Sequence, residues 1–363
     1  MSRYENARRA FGEIRESMYS AVTAPEPDLS SETSWLSAFE SHMDGHFPLR
    51  LYRYQPFDER NLWDMVLSRL HLSTLGKLND VNEGMAICSY DKLLGHFEDV
   101  ALGAIEANGY RAARLMDSSA TSDQINDFLT SVAQRIANDP KCIGIARDAA
   151  QQLAKDVVGW FLDRSSVGSL CESPLSASMW DRYAKGHTGF VAAYDFQSAS
   201  APCACKRHNK CAHSTNALLV PVEYLGERPD ITTMLPSIVG VNVLKNCPRS
   251  ALYPEGRDIG PADRRTGVEL AFAVHSFGHK AREWEHEREW RMLAWCERGA
   301  PKYVVARPSA LYIGAKMEDA NITRIVEVAE NLGIEVHGVA PNFGSNDYAL
   351  MDAGLIHTPS KPH

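Results

Sequence analysis

The 363-residue chain has no apolar run near the roughly 18 residues that a membrane helix needs, so no membrane-spanning helix is expected. Its opening residues, MSRYENARRAFGEIRESMYSAV, are charged throughout and lack the apolar centre of a signal peptide, which points to a cytoplasmic protein. Excess positive charge is missing as well. The formal net charge is -8, which argues against general affinity for phosphate backbones. No GxGxxG follows a strand-like run, so a Rossmann domain with a resident dinucleotide cofactor is not supported. No internal repeat is present. Of the eight cysteines, Cys88, Cys142, Cys171, Cys247 and Cys296 stand singly in apolar surroundings and read as small buried hydrophobes rather than a disulfide framework.

What is present is an ordinary globular composition, 44% apolar and 23% charged. Tyr4, Ala7, Phe11, Ile14 and Met18 recur at spacings of three and four, predicting a helix over Tyr4–Val22. Its single apolar stripe packs on its own domain or serves a partner helix through residues 4–22. Pro25 and Pro27 end it, and a second short helix is expected over Trp35–Met43. Residues 48–54 alternate apolar and basic side chains as a strand does. A helix over 61–70 and a short strand over 70–73 would complete a βαβ-like opening.

The pattern is helical from about 96 to 164, and strand-like runs resume at 189–194 and 218–224. A helix over 267–277 follows, and then a strand–helix–strand unit over 310–314, 319–332 and 334–339. The expected fold is α+β, with a mixed, mostly antiparallel central sheet, flanking helices and a helical insertion at about 96–164. Residues 1–48 form an N-terminal helical extension, 49–345 the core domain and 346–363 a C-terminal tail.

The stretch HKAREWEHEREWRMLAW (residues 279–295) carries the most chemistry. As one helix it would mix tryptophans and cations on a single face. As a helix to about Glu285, a turn and a strand, it sorts cleanly. Trp290, Met292 and Ala294 then point one way, and Glu287, Glu289 and Arg291 the other, about 7 Å apart. Arg291 would keep a carboxylate ionised by attraction, and an ionised glutamate beside a second carboxyl suits stabilisation of an oxocarbenium ion in glycosyl transfer. The alternative is a charged edge strand, or a salt-bridge ladder with Arg53 or Lys280.

Two other groups stand out. Trp180, Tyr183 and His187 could serve a cleft by ring stacking and proton transfer, or could anchor the core. In the loop over 198–216, Cys203, Cys205, His208, Cys211 and His213 offer thiolates and imidazoles suited to a structural zinc ion. Their spacings are unlike those of zinc fingers, so a basic, cysteine-bearing loop is the other reading.

Lys280, Trp284, Glu287, Glu289, Trp290 and Arg291 together resemble the C-terminal signature of the bacterial domain of unknown function 2971 family. The strand Leu51–Tyr54, the turn Asn79–Glu83, the run Met179–Phe190 and the strand Leu311–Gly314 are similar to that family's other motifs, in the same order, over roughly residues 49 to 317. Two motifs depart from it: Cys171-Glu172 stands where the family usually has Phe-Ser, and Val81 where it has proline. Family members are linked to phage defence and toxin-like settings.

More distantly, Arg53, Ser73-Thr74 and Glu287-x-Glu289 resemble the ordered motifs of ADP-ribosyltransferases. That resemblance implies NAD as a substrate rather than a cofactor, with Arg53 holding phosphate or ribose, Glu289 stabilising the ribosyl oxocarbenium ion as nicotinamide leaves and Glu287 positioning or deprotonating an acceptor. His187 would move a proton. Tyr52, Ser73, Asn79, Asp80, Trp180, Tyr183, Lys280 and Arg291 would contact the nucleotide, and the acceptor would be a protein or a nucleic acid. Two further classes remain open: a non-catalytic sensor or antitoxin-like binding module, and a nuclease using His187 and the carboxylates.

Overall fold

A computed structural model describes residues 3–24, 32–74, 86–87, 89, single positions between 121 and 162, 165–196, 200–201, 217–235, 237–238, 267–295, 303–346 and 349–360. One large sheet organises them. With strands numbered in chain order, it comprises β1 (Arg50–Gln55), β3 (Ser73–Thr74), β4 (Ser165–Cys171), β5 (Phe190–Asp195), β6 (Ser200–Ala201), β7 (Ala217–Pro221), β10 (Glu289–Trp295), β12 (Ala310–Ile313), β13 (Glu335–Pro341) and β14 (Leu350–His357). The spatial order is β14-β13-β12-β5-β1-β4-β10-β7-β6, with β3 also paired to β4. Neighbours run antiparallel except β12 and β13. Two small pairs lie apart: β2 (Arg69–His71) with β11 (Tyr303–Val305), and β8 (Glu223–Leu225) with β9 (His279–Ala281). The fold is α+β, with a mixed, mostly antiparallel central sheet and flanking helices.

Strand alternation divides the core. One face presents Leu51, Leu170, Phe190, Ala192, Leu219, Trp290, Met292 and Leu311 to helices α3 (Glu59–Val66) and α6 (Asp319–Leu332). The other carries two clusters. Around Trp180 of α4 (Ala177–Tyr183) gather Tyr54, Cys171, Val191, Ala193 and Tyr312. Val167, Leu218, Val220 and Leu293 meet α1 (Arg3–Thr23), α2 (Glu32–Met43) and α5 (Gly267–Phe277).

Local sequence explains the helix ends. Asp58 caps α3 by accepting from the Asn61 N–H at 2.8 Å. Gly333, left-handed at φ 66°, ends α6 and donates to the Ala329 and Glu330 carbonyls.

Several expectations need correction. β1 and β2 are not partners: β1 joins β4 and β5, and β2 joins β11, so the opening is not a βαβ unit. The apolar stripe of α1 is used internally, with Tyr4, Ala7, Phe11, Met18 and Val22 all buried, which leaves no such face for a partner helix. The C-terminal tail contains β14, the edge strand of the main sheet. Residues 279–285 are not one helix but β9 followed by a 3-10 helix over Arg282–Glu287. The strand–helix–strand unit near the C-terminus is present, its two strands parallel neighbours. Most of the 96–164 block lies outside the described residues; those described between 123 and 162 are helical. No helix among the described residues is long and apolar enough to cross a membrane.

Candidate functional site

Register decides which side chains meet. Tyr52 of β1 and Glu289 of β10 both pair with Cys171 of β4. Directly opposed residues share a face, so Tyr52, Cys171 and Glu289 form one row across three adjacent strands. Arg291, two residues on, shares the face of Glu289 and is opposed by Ser169. Just before the strand, Arg288 is left-handed at φ 45°. That reversal brings Glu287, at the end of the 3-10 helix, to the same cation as Glu289.

The cation is Lys280 of β9. Its Nζ lies 2.8 Å from Glu287 Oε2 and 3.0 Å from Glu289 Oε2. Arg291 Nε donates to Glu289 Oε1 at 2.8 Å, while its Nη1 is fixed by the carbonyls of Phe277 and His279 at 2.9 and 3.0 Å. Tyr183 on α4 donates to Glu287 Oε1 at 3.1 Å. The four charged groups carry two charges of each sign and are nearly sealed, with 6% of Lys280, 4% of Glu287, 2% of Glu289 and none of Arg291 exposed. Burial alone would raise the pKa of Glu289. Arg291 and Lys280, with hydrogen bonds from Arg291 and Ser169, outweigh it and hold the carboxyl well below its usual range.

The backbone at Glu289 is clamped separately. Its N–H donates to Tyr224 Oη at 2.8 Å, and its carbonyl accepts from the Val222 N–H at 2.9 Å and from Tyr4 Oη at 3.3 Å. The first turn of α1 therefore braces the cluster. Cys171, in the centre of the row, is not a thiolate. Burial pushes its thiol up to about 12 against a lowering backbone interaction at Ser173, and Glu287 and Glu289 add to the rise.

Of the residues singled out in the sequence, Glu287, Glu289, Lys280, Arg291 and Tyr183 come together, and Tyr52 lies in the same row, partly exposed against the Tyr312 ring at 5.8 Å. Arg53 does not join them. It is opposed by Ala192, one residue out of phase with Tyr52, and so lies on the other face of the sheet. There its Nη1 is buried without a hydrogen-bond partner, close to Gly168.

Arg291, wholly buried and bonded within the chain, holds Glu289 rather than reaching a ligand. Trp180 is a core residue. It has no exposure, its indole N–H donates to the Pro174 carbonyl at 2.8 Å, and Tyr54 packs edge-on at 5.3 Å. His187 stacks on Trp180 at 6.0 Å in a left-handed turn at φ 68°, its Nδ1 buried without a partner. Burial and then Lys316 lower its pKa. Ser73 pairs with Val167, four residues before Cys171 on β4. Asn79, Asp80 and the ligand set Cys203, Cys205, His208, Cys211 and His213 lie outside the described residues. Among the described residues no group of three His, Cys, Asp or Glu is placed to hold a metal ion.

Sequence reasoning missed the Tyr4 and Tyr224 clamp and the central place of Cys171. Only the long-range register reveals them.

No family model, curated protein or solved structure matches the chain. The resemblances described above therefore rest on their motifs alone.

Proposed function

We propose that the face carrying Tyr52, Cys171 and Glu289 binds a nucleotide with an N-glycosidic bond, NAD first among them, and breaks that bond. The observation that carries this reading is Glu289, held ionised at the start of β10 beside a second carboxylate on the same ammonium. As the C–N bond breaks, nicotinamide leaves neutral with the bonding pair, and its positive charge passes to the ribose. A fixed carboxylate beside the ribose stabilises that charge more than in the ground state, in which it lies on the ring. Glu287, bonded to the half-buried Tyr183, is the group to position or deprotonate a water or acceptor hydroxyl. Arg53 has no part in this arrangement.

Incubation with NAD should release nicotinamide, with Glu289→Gln slowing it by about 10²–10³-fold. No release with any acceptor, or equal release by the variant, would overturn the reading. The setting in bacterial conflict rests on the family resemblance.

A second reading has its own support. Both oxygens of Glu289 are engaged by cations of the chain, an arrangement equally suited to fixing the sheet of a non-catalytic sensor or antitoxin-like module. In that case Glu289→Gln lowers thermal stability and wild-type protein releases no nicotinamide.

A further inference from the structure

Polar contacts fasten α1 at both ends. Tyr4 donates to the carbonyls of Val222 and Glu289, Arg8 pairs with Glu285, and Ser237 donates to the Val22 carbonyl. Between these lies a contact of another kind. Arg15 Nη1 sits 3.4 Å from His275 Nδ1 of α5, and the Tyr19 ring, one turn on, stacks on the same imidazole at 4.7 Å. A guanidinium only donates, so His275 accepts through Nδ1 and is neutral. A proton on Nδ1 would remove that bond and set two cations against each other, with 7% of His275 and 13% of the Arg15 side chain exposed.

The surrounding charges do not cancel that conflict. Glu223 of β8 is taken by Arg15 Nε at 2.8 Å. His279 of β9, lowered by burial and then by Arg291 of β10, stays neutral. Asp230 favours a charged His275, but its Oδ1 already accepts from Thr232. Burial first and Arg15 second hold the pKa of His275 down at about 4.

We propose that α1 is an acid-released brace: protonation of His275 drives Arg15 off α5 and, through Tyr4, frees the backbone of Glu289. Once α1 opens, His275 meets water and titrates at its ordinary 6.5. Opening therefore takes up one proton, and is favoured about tenfold per pH unit as pH falls from 6.5 towards about 4. The device serves either reading of the site.

Hydrogen exchange of the full chain, followed by mass spectrometry from about pH 7 to about pH 5 and corrected for intrinsic rates, tests it. Protection of α1 should fall about tenfold per pH unit below 6.5. The amides of Val222 and Glu289 should fall with it, while β12 stays better protected. In His275→Phe, which keeps a ring against Tyr19, protection of α1 should no longer change with pH. Arg15→Gln removes the opposing cation and should end the fall at a higher pH. A pH-independent α1 in wild type, or an unchanged profile in Arg15→Gln, would overturn the brace. So would one shared protection for α1 and β12, with His275→Phe keeping the part of the fall that belongs to His279, because α1 would then open only when the whole chain unfolds. Tyr4→Phe tests the link to the site. There α1 should keep its pH dependence while the amides of Val222 and Glu289 lose theirs, and continued tracking of α1 by these two amides overturns the coupling.

Discussion

Glu289 and the buried histidines titrate in opposite settings with the same sign for stability. At Glu289, burial is outweighed by Arg291 and Lys280, and the pKa falls from an ordinary 4.5 to about 2. A depressed carboxyl stabilises the fold above its unfolded pKa, and that contribution is lost as pH falls from 4.5 through about 2. Urea unfolding across that window should show a shallower acid limb in Glu289→Gln than in wild type. Removing the partner instead, as in Arg291→Met, leaves a buried carboxylate short of its cation. A loss of about 3–5 kcal/mol is expected, read as a lower urea midpoint at pH 7.

His275 and His279 are lowered from 6.5 to about 4 and about 3, chiefly by burial, then by Arg15 and Arg291 respectively. Below pH 6.5 the unfolded chain takes up protons that the folded chain refuses. Stability should therefore fall by about 1.4 kcal/mol per pH unit for each histidine between 6.5 and 4. His275→Phe, which keeps a ring against Tyr19, should roughly halve that slope.

Among the elements, the ends of β5 and β12 are joined through two close approaches. Gly314 donates to the Gly189 carbonyl at 3.1 Å, and a Cβ on Gly314 would lie 2.3 Å from the His187 carbonyl oxygen. Backbone cannot rotate aside, so Gly314→Ala should cost about 1–3 kcal/mol, measured as a drop in Tm. Gly168→Ala is a useful contrast, because the atoms nearest its Cβ are the ends of the Leu70 and Leu72 side chains and the Arg53 guanidinium. A smaller drop is expected there.

Elements were legible in the sequence where local period sufficed. The two faces of β10 followed from Trp290, Met292 and Ala294 alternating with Glu289 and Arg291, and α5 and α6 from their apolar spacing. β14 was not legible, because LMDAGLIH is an edge strand exposed over most of its length and carries no buried alternation. Arg53 failed for another reason. Whether it shares a face with Glu289 depends on β1 meeting β4 at Tyr52 and not one residue later, and no local pattern encodes that register. The Glu287–Lys280 contact was foreseen only as an alternative, a salt-bridge ladder, and it is what brings the two carboxylates together.

For the whole molecule, α1 is a structural member rather than an appendage. Phe11 has no exposure and meets Phe39 edge-on at 6.3 Å. Phe11→Ala should cost about 3–5 kcal/mol in chemical unfolding. The brace formed by Tyr4 also has a consequence in time. Tyr4 and Glu289 are 285 positions apart, and Cys171 reaches Tyr52 across 119. At ribosomal speeds the first helix waits roughly 15 to 60 s for the strand it supports. β1 has both its neighbours, β4 and β5, once residue 195 is made, but a nascent chain shorter than 291 residues has no completed charge cluster. Assembly of the site thus waits for β10, where the final carboxylate and the first helix meet on the same strand.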